Sequence, residues 1–247
     1  MNFIRLRNLI LLNILLLSGC GSLDYESVSS AGRFEGRLFV MWVGEGSPYS
    51  GDGQFVFVPN PDAPLKFMRY GPNGEQIGET IQPEIMYTDG GSIPRIATVF
   101  KGFSPWGYAP AYMVHDWLFI ANHCNNDGTP TPEEAKHTGI SFRQSAQVIG
   151  EAIKSLQVSG QVAKNDVAGS VISSAVAGPI SQRLWEREGA CAGHRVTEEH
   201  RLAAYQAFPQ PVRAGFESVG LDPERITTLE IDFPRPALLL GEFGWTP

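Results

Sequence analysis

Basic residues are scarce in this sequence, and their scarcity excludes one class of function. The 247 residues include 19 lysines and arginines against 26 acidic residues, so the formal net charge is -7. A protein that holds nucleic acid through its phosphates needs the opposite balance. We therefore expect no nucleic-acid partner. The hydrophobic share of 43% is that of a globular protein and excludes a wholly disordered chain.

Long apolar runs are absent except near the N-terminus. The run over residues 9–17 is interrupted at Asn13 and is preceded by the cations Arg5 and Arg7. It is too short for a transmembrane helix, which needs about 20 apolar residues. A short apolar run after basic residues is typical of a secretory signal.

The signal ends at Cys20, in a Leu-Ser-Gly-Cys sequence that resembles the bacterial lipoprotein signal. The resemblance implies a signal peptide over residues 1–19 and lipidation of Cys20, with the membrane as partner through the lipid. It also implies a cell-envelope location, and Gly21 favours the outer membrane, facing the periplasm, in a host with two membranes. The small, polar residues 20–33 predict a flexible tether. An ordinary signal peptide with a chance cysteine is the alternative.

Cysteine is rare, with three in the chain. If Cys20 carries lipid, Cys124 and Cys191 are left as an even number in an oxidising compartment. We predict a disulfide between them, and two unpaired, partly buried thiols are the alternative.

Secondary-structure patterns change character about halfway along the chain. Short apolar runs between turn residues predict strands early, and capping signals predict helices later. The predicted strands cover residues 34–43, 54–58, 66–70, 80–87 and 226–231, with an Asn73-Gly74 turn after the third. The predicted helices cover residues 109–121, 131–156, 165–188 with a bend near Gly178-Pro179, and 197–208. We predict one α+β domain over residues 34–247, with an N-terminal antiparallel β-rich part packed against a helical C-terminal half.

Two polar motifs stand out from apolar surroundings. They are Thr88-Asp89-Gly90-Gly91-Ser92-Ile93-Pro94 and His115-Asp116-Trp117-Leu118-Phe119, with Pro105-Trp106-Gly107-Tyr108 between them. Together they resemble a family of phage and bacterial proteins known only as domain of unknown function thirteen fifty-three. The likeness is close over residues 88–119, and weak around Arg143, where the family's acidic positions are replaced. The resemblance emphasises these residues and implies no agreed reaction.

The candidate catalytic residues are His115, Asp89 and Asp116. In the catalytic interpretation Asp89 orients the His115 imidazole as a general base, and Asp116 binds a cation or the substrate. Neighbours on a helix point about 100° apart, so we expect His115 and Asp116 to have different partners. In the structural interpretation, Asp89 caps a Gly90-Gly91 turn and His115 bonds a backbone carbonyl. Ser92 lacks the Gly-x-Ser-x-Gly setting of a nucleophile.

Metal-binding patterns are weak in this chain. The His-Asp helix is similar to that of secreted phospholipases A2, where the aspartate holds calcium, but the glycine-rich calcium loop and the preceding cysteines are missing. The segment from His123 to Asp127, with His137 after it, meets no zinc or EF-hand spacing. We predict a surface turn there, no metal and no cofactor.

Two functions are compatible with these patterns. The first is a binding or structural lipoprotein of the cell envelope that recognises a protein or an envelope polymer. The alternative is a His/Asp-dependent hydrolase acting on an envelope component, with His115, Asp89 and Asp116 at its centre. The absence of a nucleophile elbow and of a metal template favours the first.

Overall fold

The computed structural model describes residues 25, 28, 31–43, 54–88, 105–162, 172–173, 176–208 and 237–245, with the backbone alone for residues 105–106. In that part of the chain, an antiparallel sheet lies mostly in the N-terminal half and the helices lie in the C-terminal half, which confirms the α+β prediction. The strands are β1 Arg33–Val43, β2 Gln54–Pro59, β3 Lys66–Met68, β4 Met86–Thr88 and β5 Leu238–Trp245. The helices are α1 Ala109–Asn126, α2 Pro132–Ala135, α3 Phe142–Val158, α4 Pro179–Trp185, α5 Cys191–His194 and α6 Glu198–Ala207.

The central strand of the sheet is β1. It pairs antiparallel with β2 through residues 38–43 and with β5 through residues 36–42, so β2 and β5 occupy its opposite edges. Its first three residues pair with β3, and β4 extends the sheet beyond β2. Every residue of β1 from Leu38 to Val43 is buried. A strand that is buried on both faces has a continuous apolar sequence, as this one does.

Alternate residues of β1 enter two separate cores, because successive side chains on a strand point to opposite faces. Leu38 and Val40 belong to the larger core, which is built with α1 and α3. Phe39 and Met41 belong to a smaller core with α6, where Phe39 contacts Phe208 edge to face. The sheet therefore lies between two helical layers.

Helix α1 runs through the middle of the larger core. It begins after a 3-10 turn at Pro105–Tyr108, and its residues from Ala109 to His115 are all buried. It continues to Asn126, five residues beyond the predicted end at Ala121. Within the described residues, no helix is long and apolar enough to cross a membrane.

The predicted single helix over residues 131–156 is wrong, because the structure has two helices there. Helix α2 has the predicted capping box at Thr131 but ends at Ala135. The chain then passes through Gly139 at φ 81°, a value that favours glycine. A second capping box, formed by Ser141 and Gln144, starts α3.

Other boundaries also differ from the predictions. Gly178 has the extended angles φ -82° and ψ 170° and caps α4, so a new helix starts at Pro179 where a bend was predicted. The predicted strand over residues 226–231 lies outside the described residues, and β5 was not predicted. The Asn73-Gly74 turn is confirmed, with Gly74 at φ 84° and a bridge between Tyr70 and Gln76.

Regular pairing in two early strands is shorter than predicted. For residues 66–70 it is limited to β3, which ends at Met68. For residues 80–87 the structure has an isolated bridge at Ile81 and then β4.

Two residues of the predicted tether contact the folded body. Tyr25 is 9% exposed and donates a hydrogen bond from its hydroxyl to Oε1 of Gln157 on α3, at 2.8 Å. Val28 is 5% exposed and its carbonyl accepts a hydrogen bond from Nζ of Lys154 on the same helix. The chain is thus attached to α3 before β1 begins.

Candidate functional site

The second polar motif lies on α1, where His115 and Asp116 are in contact. Nδ1 of His115 is 3.4 Å from Oδ1 of Asp116, and the His115 side chain is 6% exposed. Our expectation that these neighbours have different partners is wrong for this contact. Their Cα–Cβ bonds diverge by about 100°, but rotation about the side-chain bonds lets Nδ1 and Oδ1 come this close. The distance is long for a hydrogen bond.

The end of β4 brings the first motif to the same place. Oγ1 of Thr88 is 3.5 Å from Oδ2 of Asp116. Asp89 and Ser92 lie outside the described residues, so the meeting of Asp89 with His115 stays a prediction. Cys20 also lies outside them.

One aromatic ring packs against the His115 imidazole, and a second ring packs against the first. The imidazole centroid is 4.8 Å from that of Phe119, and Phe119 is 4.8 Å from Trp185 in a perpendicular arrangement. In the described part of the chain, the buried Nε2 of His115 has no hydrogen-bond partner. The described contacts therefore give this nitrogen of the motif no structural role.

A histidine pair lies about two turns further along α1, where His123 contacts His194. Nε2 of His123 is 2.8 Å from the Leu184 carbonyl, and because a carbonyl only accepts, Nε2 carries the proton. Nδ1 of His123 is 2.9 Å from Nε2 of His194, and the two rings are stacked. Burial, followed by the charges of His123 and Arg195, lowers the pKa of His194. His194 is therefore neutral at neutral pH.

The segment from His123 to Asp127 is not the predicted surface turn, because α1 continues through Asn126 and buries His123 and Cys124. A disulfide joins Cys124 to Cys191, with 4.7 Å between their Cα atoms. The Asp127 carboxylate accepts the backbone N–H groups of Gly189 and Cys191, both at 2.9 Å. These two bonds lower the pKa of Asp127 below 3.8. Among the described residues, no group of three or more histidine, cysteine or acidic side chains could hold a metal ion.

A partly buried ion pair, which no sequence pattern indicated, joins α2 to the residue after α5. The Glu134 side chain is 0% exposed and accepts both terminal nitrogens of Arg195, at 2.5 and 2.8 Å. Its Oε2 also accepts the Thr131 N–H of the capping box. The Thr131 hydroxyl donates to Oε2 of Glu84 at 2.8 Å, so the segment before β4 joins the same network. The capping-box pattern predicted the bond between Thr131 and Glu134. It did not indicate Arg195, which is 61 residues away in the sequence.

A pocket of about 310 Å³ adjoins this network. Its wall consists of residues 84–86, Trp117 and Ile120 of α1, residues 129–131, residues 194–196 and Arg201 of α6. A second, wider pocket of about 690 Å³ lies beside Asp127 and Trp185. His115 and Asp116 line neither of them.

Comparisons of this chain with protein-family models, with curated proteins and with solved structures find no match. The likeness of residues 88–119 to the phage and bacterial family therefore stays a prediction. The function is argued below from the N-terminal sequence, the contacts and the pockets.

Proposed function

We propose that this protein is a lipid-anchored protein of the cell envelope, held through Cys20, and that its folded part has a binding or structural role. Two features support export. The N-terminal sequence has the order of a lipoprotein signal, with basic residues, an apolar run and Leu-Ser-Gly-Cys. The buried Cys124–Cys191 disulfide is of the kind that persists outside the reducing cytoplasm.

The position of the pocket of about 310 Å³ supports the binding role. It is lined by Trp117 and Arg201 and contains neither His115 nor Asp116, so this pocket is separate from the candidate catalytic pair. His115 itself is 6% exposed, under the ring of Phe119. A general base must come within hydrogen-bond reach of the proton it removes, and neither described pocket gives a substrate that access.

The anchor is tested by metabolic labelling of cells with radioactive palmitate, comparing wild type with Cys20→Ser. We expect label in the wild type and none in the variant, which should accumulate as the unprocessed precursor. Cys191→Ser is the matched control, since it changes another cysteine and should keep the label. Equal labelling of wild type and Cys20→Ser would contradict the anchor.

A His/Asp-dependent hydrolase of an envelope component is the second candidate. The observation in its favour is the chain of contacts from Thr88 through Asp116 to His115, together with the unpartnered Nε2 of His115 among the described residues. In this proposal Asp116 holds the imidazole while Nε2 accepts a proton from water or substrate. Asp116 thus takes the orienting role that was predicted for Asp89.

The two candidates are separated by one assay on the full chain. Protein is incubated with phosphatidylethanolamine vesicles and with purified peptidoglycan, and soluble products are measured. The hydrolase predicts release that His115→Asn abolishes while the melting temperature stays near that of the wild type. The binding role predicts no release above that of heat-denatured protein, with His115→Asn altering stability alone.

A further inference from the structure

We infer that the pocket of about 310 Å³ binds a small organic carboxylate with an apolar body. The inference rests on the proposed binding role and names its ligand class. Three features of the wall lead to it: hydrogen-bond donors that lack partners among the described residues, a cation that has no acidic partner there, and apolar side chains in the same wall.

Two donors in the pocket wall have no acceptor in the described part of the protein. Trp117 is 1% exposed, and its indole Nε1 has no hydrogen-bond partner there. The buried Nε of Arg201 also has none. An indole N–H and a guanidinium N–H can only donate, and a buried donor without an acceptor is destabilising. A ligand that completes both must therefore present acceptor oxygens.

The charges around the pocket favour an anion with a single charge. Arg195 is neutralised by Glu134, and His194 is neutral because its pKa is lowered. Arg201 forms no ion pair with any acidic side chain that the structure describes, so its charge is available. Glu84 is the acidic residue of the wall, and it already accepts the Thr131 hydroxyl. Among the described residues of the wall, one unpaired cation beside one carboxylate suits a monoanionic carboxylate better than a doubly charged phosphate.

The rest of the wall is partly apolar and the space is small. Met86, Ile120 and Val196 are 1%, 4% and 9% exposed, and Ile85 lies beside Met86. The volume is at the lower end of the range of about 300 to 1,000 Å³ for small-molecule pockets. A compact ring or branched chain would contact the half-buried Ile85 and Pro130 while its carboxylate meets Arg201 and Trp117.

Phenylacetate is a suitable probe, and the indole N–H resonance of Trp117 is a suitable reporter. The resonance is assigned by its loss in Trp117→Phe, and the full chain is titrated at neutral pH. We expect a saturable shift of this resonance with phenylacetate. Phenylacetamide, which lacks the charge, and acetate, which lacks the apolar body, should each bind at least about tenfold more weakly.

Substitution of the cation completes the test. Arg201→Gln should weaken phenylacetate binding at least about tenfold, while Arg201→Lys, which keeps the charge, should retain part of it. Arg183→Gln is the matched control, because Arg183 is exposed on α4 and lines neither pocket. Each variant must first show the wild-type pattern of the other indole resonances, and if Arg201→Gln does not, Arg201→Lys and the three probes decide.

Four results would overturn the inference. They are no shift up to about 10 mM phenylacetate, equal binding of phenylacetamide, unchanged binding in a folded Arg201→Gln, or tighter binding of inorganic phosphate. Any of them would leave the anchor at Cys20 standing, because palmitate labelling tests that part separately.

Discussion

Single residues in the helical half link segments that are far apart in the sequence. Asp127, directly after α1, accepts two backbone N–H groups from the segment that begins α5, 62 and 64 residues later. The Glu134 carboxylate accepts hydrogen bonds from the side chain of Arg195, 61 residues later. Both carboxylates act as acceptors that attach the α5 region to α1 and α2.

Asp127 gives this attachment a pH dependence. Its pKa in the folded state is lowered from 3.8 by the Cys191 and Gly189 N–H groups. The resulting stabilisation is complete above the unfolded-state pKa of 3.8 and is lost as the pH falls through the lower folded-state value. We expect the wild type to be more stable than Asp127→Asn at neutral pH, with the difference shrinking in acid. Carboxyl carbon NMR measures the pKa directly, and a midpoint at or above 3.8 would contradict the assignment.

Gly139 determines where α2 is separated from α3. Its φ of 81° is unfavourable for a residue with a side chain, although a Cβ there would meet no atom within 4 Å. Gly139→Ala should therefore lower the free energy of unfolding by about 1 kcal/mol through backbone strain alone. Gly193→Ala is the control, since Gly193 lies in α5 with equal space and no positive φ. Urea denaturation that shows equal effects at both positions would contradict the explanation.

At the scale of elements, a buried ion pair fastens the sheet to α3. Nε of Arg69, the residue after β3, is 2.7 Å from Oε2 of Glu151, and their side chains are 13% and 1% exposed. Gln147 adds a hydrogen bond to Glu151 from the preceding turn of the helix. Removing one partner of such a pair leaves the other buried without compensation.

The prediction for this pair uses two variants and a control. Arg69→Leu should lower the free energy of unfolding by about 3 kcal/mol, and adding Glu151→Leu should restore most of it. Lys136→Gln, which breaks the more exposed pair with Glu133, should cost less than about 1 kcal/mol. Urea denaturation of the variants checks this, and an Arg69→Leu effect no larger than that of Lys136→Gln would show that the pair does not fasten α3.

Elements with a strong local pattern could be predicted from the sequence, and those that depend on distant partners could not. The continuous apolar run of β1 and the apolar length of α1 were sufficient for their assignment. Strand β5 has two glycines and half-exposed residues, and its partner β1 is about 200 residues away, so nothing local indicates it. The break before α3 was not predicted. The helix predicted from the capping box at Thr131 continued through Gly139 and past the second capping box at Ser141.

The same contrast applies to the sites. The sequence identified His115 and Asp116 because their motif is contiguous, and it paired Cys124 with Cys191 because no third cysteine was left. Trp117, Arg195 and Arg201 form the pocket only through packing of α1 and α6 beside β4. Their chain positions span 84 residues without any spacing rule, so sequence reasoning had no signal for this site.

In the whole molecule, the proposed anchor and the body are close neighbours in the chain. Tyr25 and Val28 are buried on α3, and Tyr25 is five residues after Cys20. Five extended residues span at most roughly 18 Å. A lipid on Cys20 would therefore hold the α3 side of the body within that distance of the bilayer surface, instead of at the end of the longer predicted tether.

The proposal of a lipid-anchored envelope protein is tested most directly by mass spectrometry. Intact mass and peptide masses are measured on the protein purified from cell membranes. We expect a mature chain that begins at Cys20, heavier than its polypeptide by the mass of acyl chains, with the added mass on the N-terminal peptide. The non-reduced protein should contain no free thiol on Cys124 or Cys191. A chain that begins at any other residue, or an unmodified Cys20 at its start, would contradict the account.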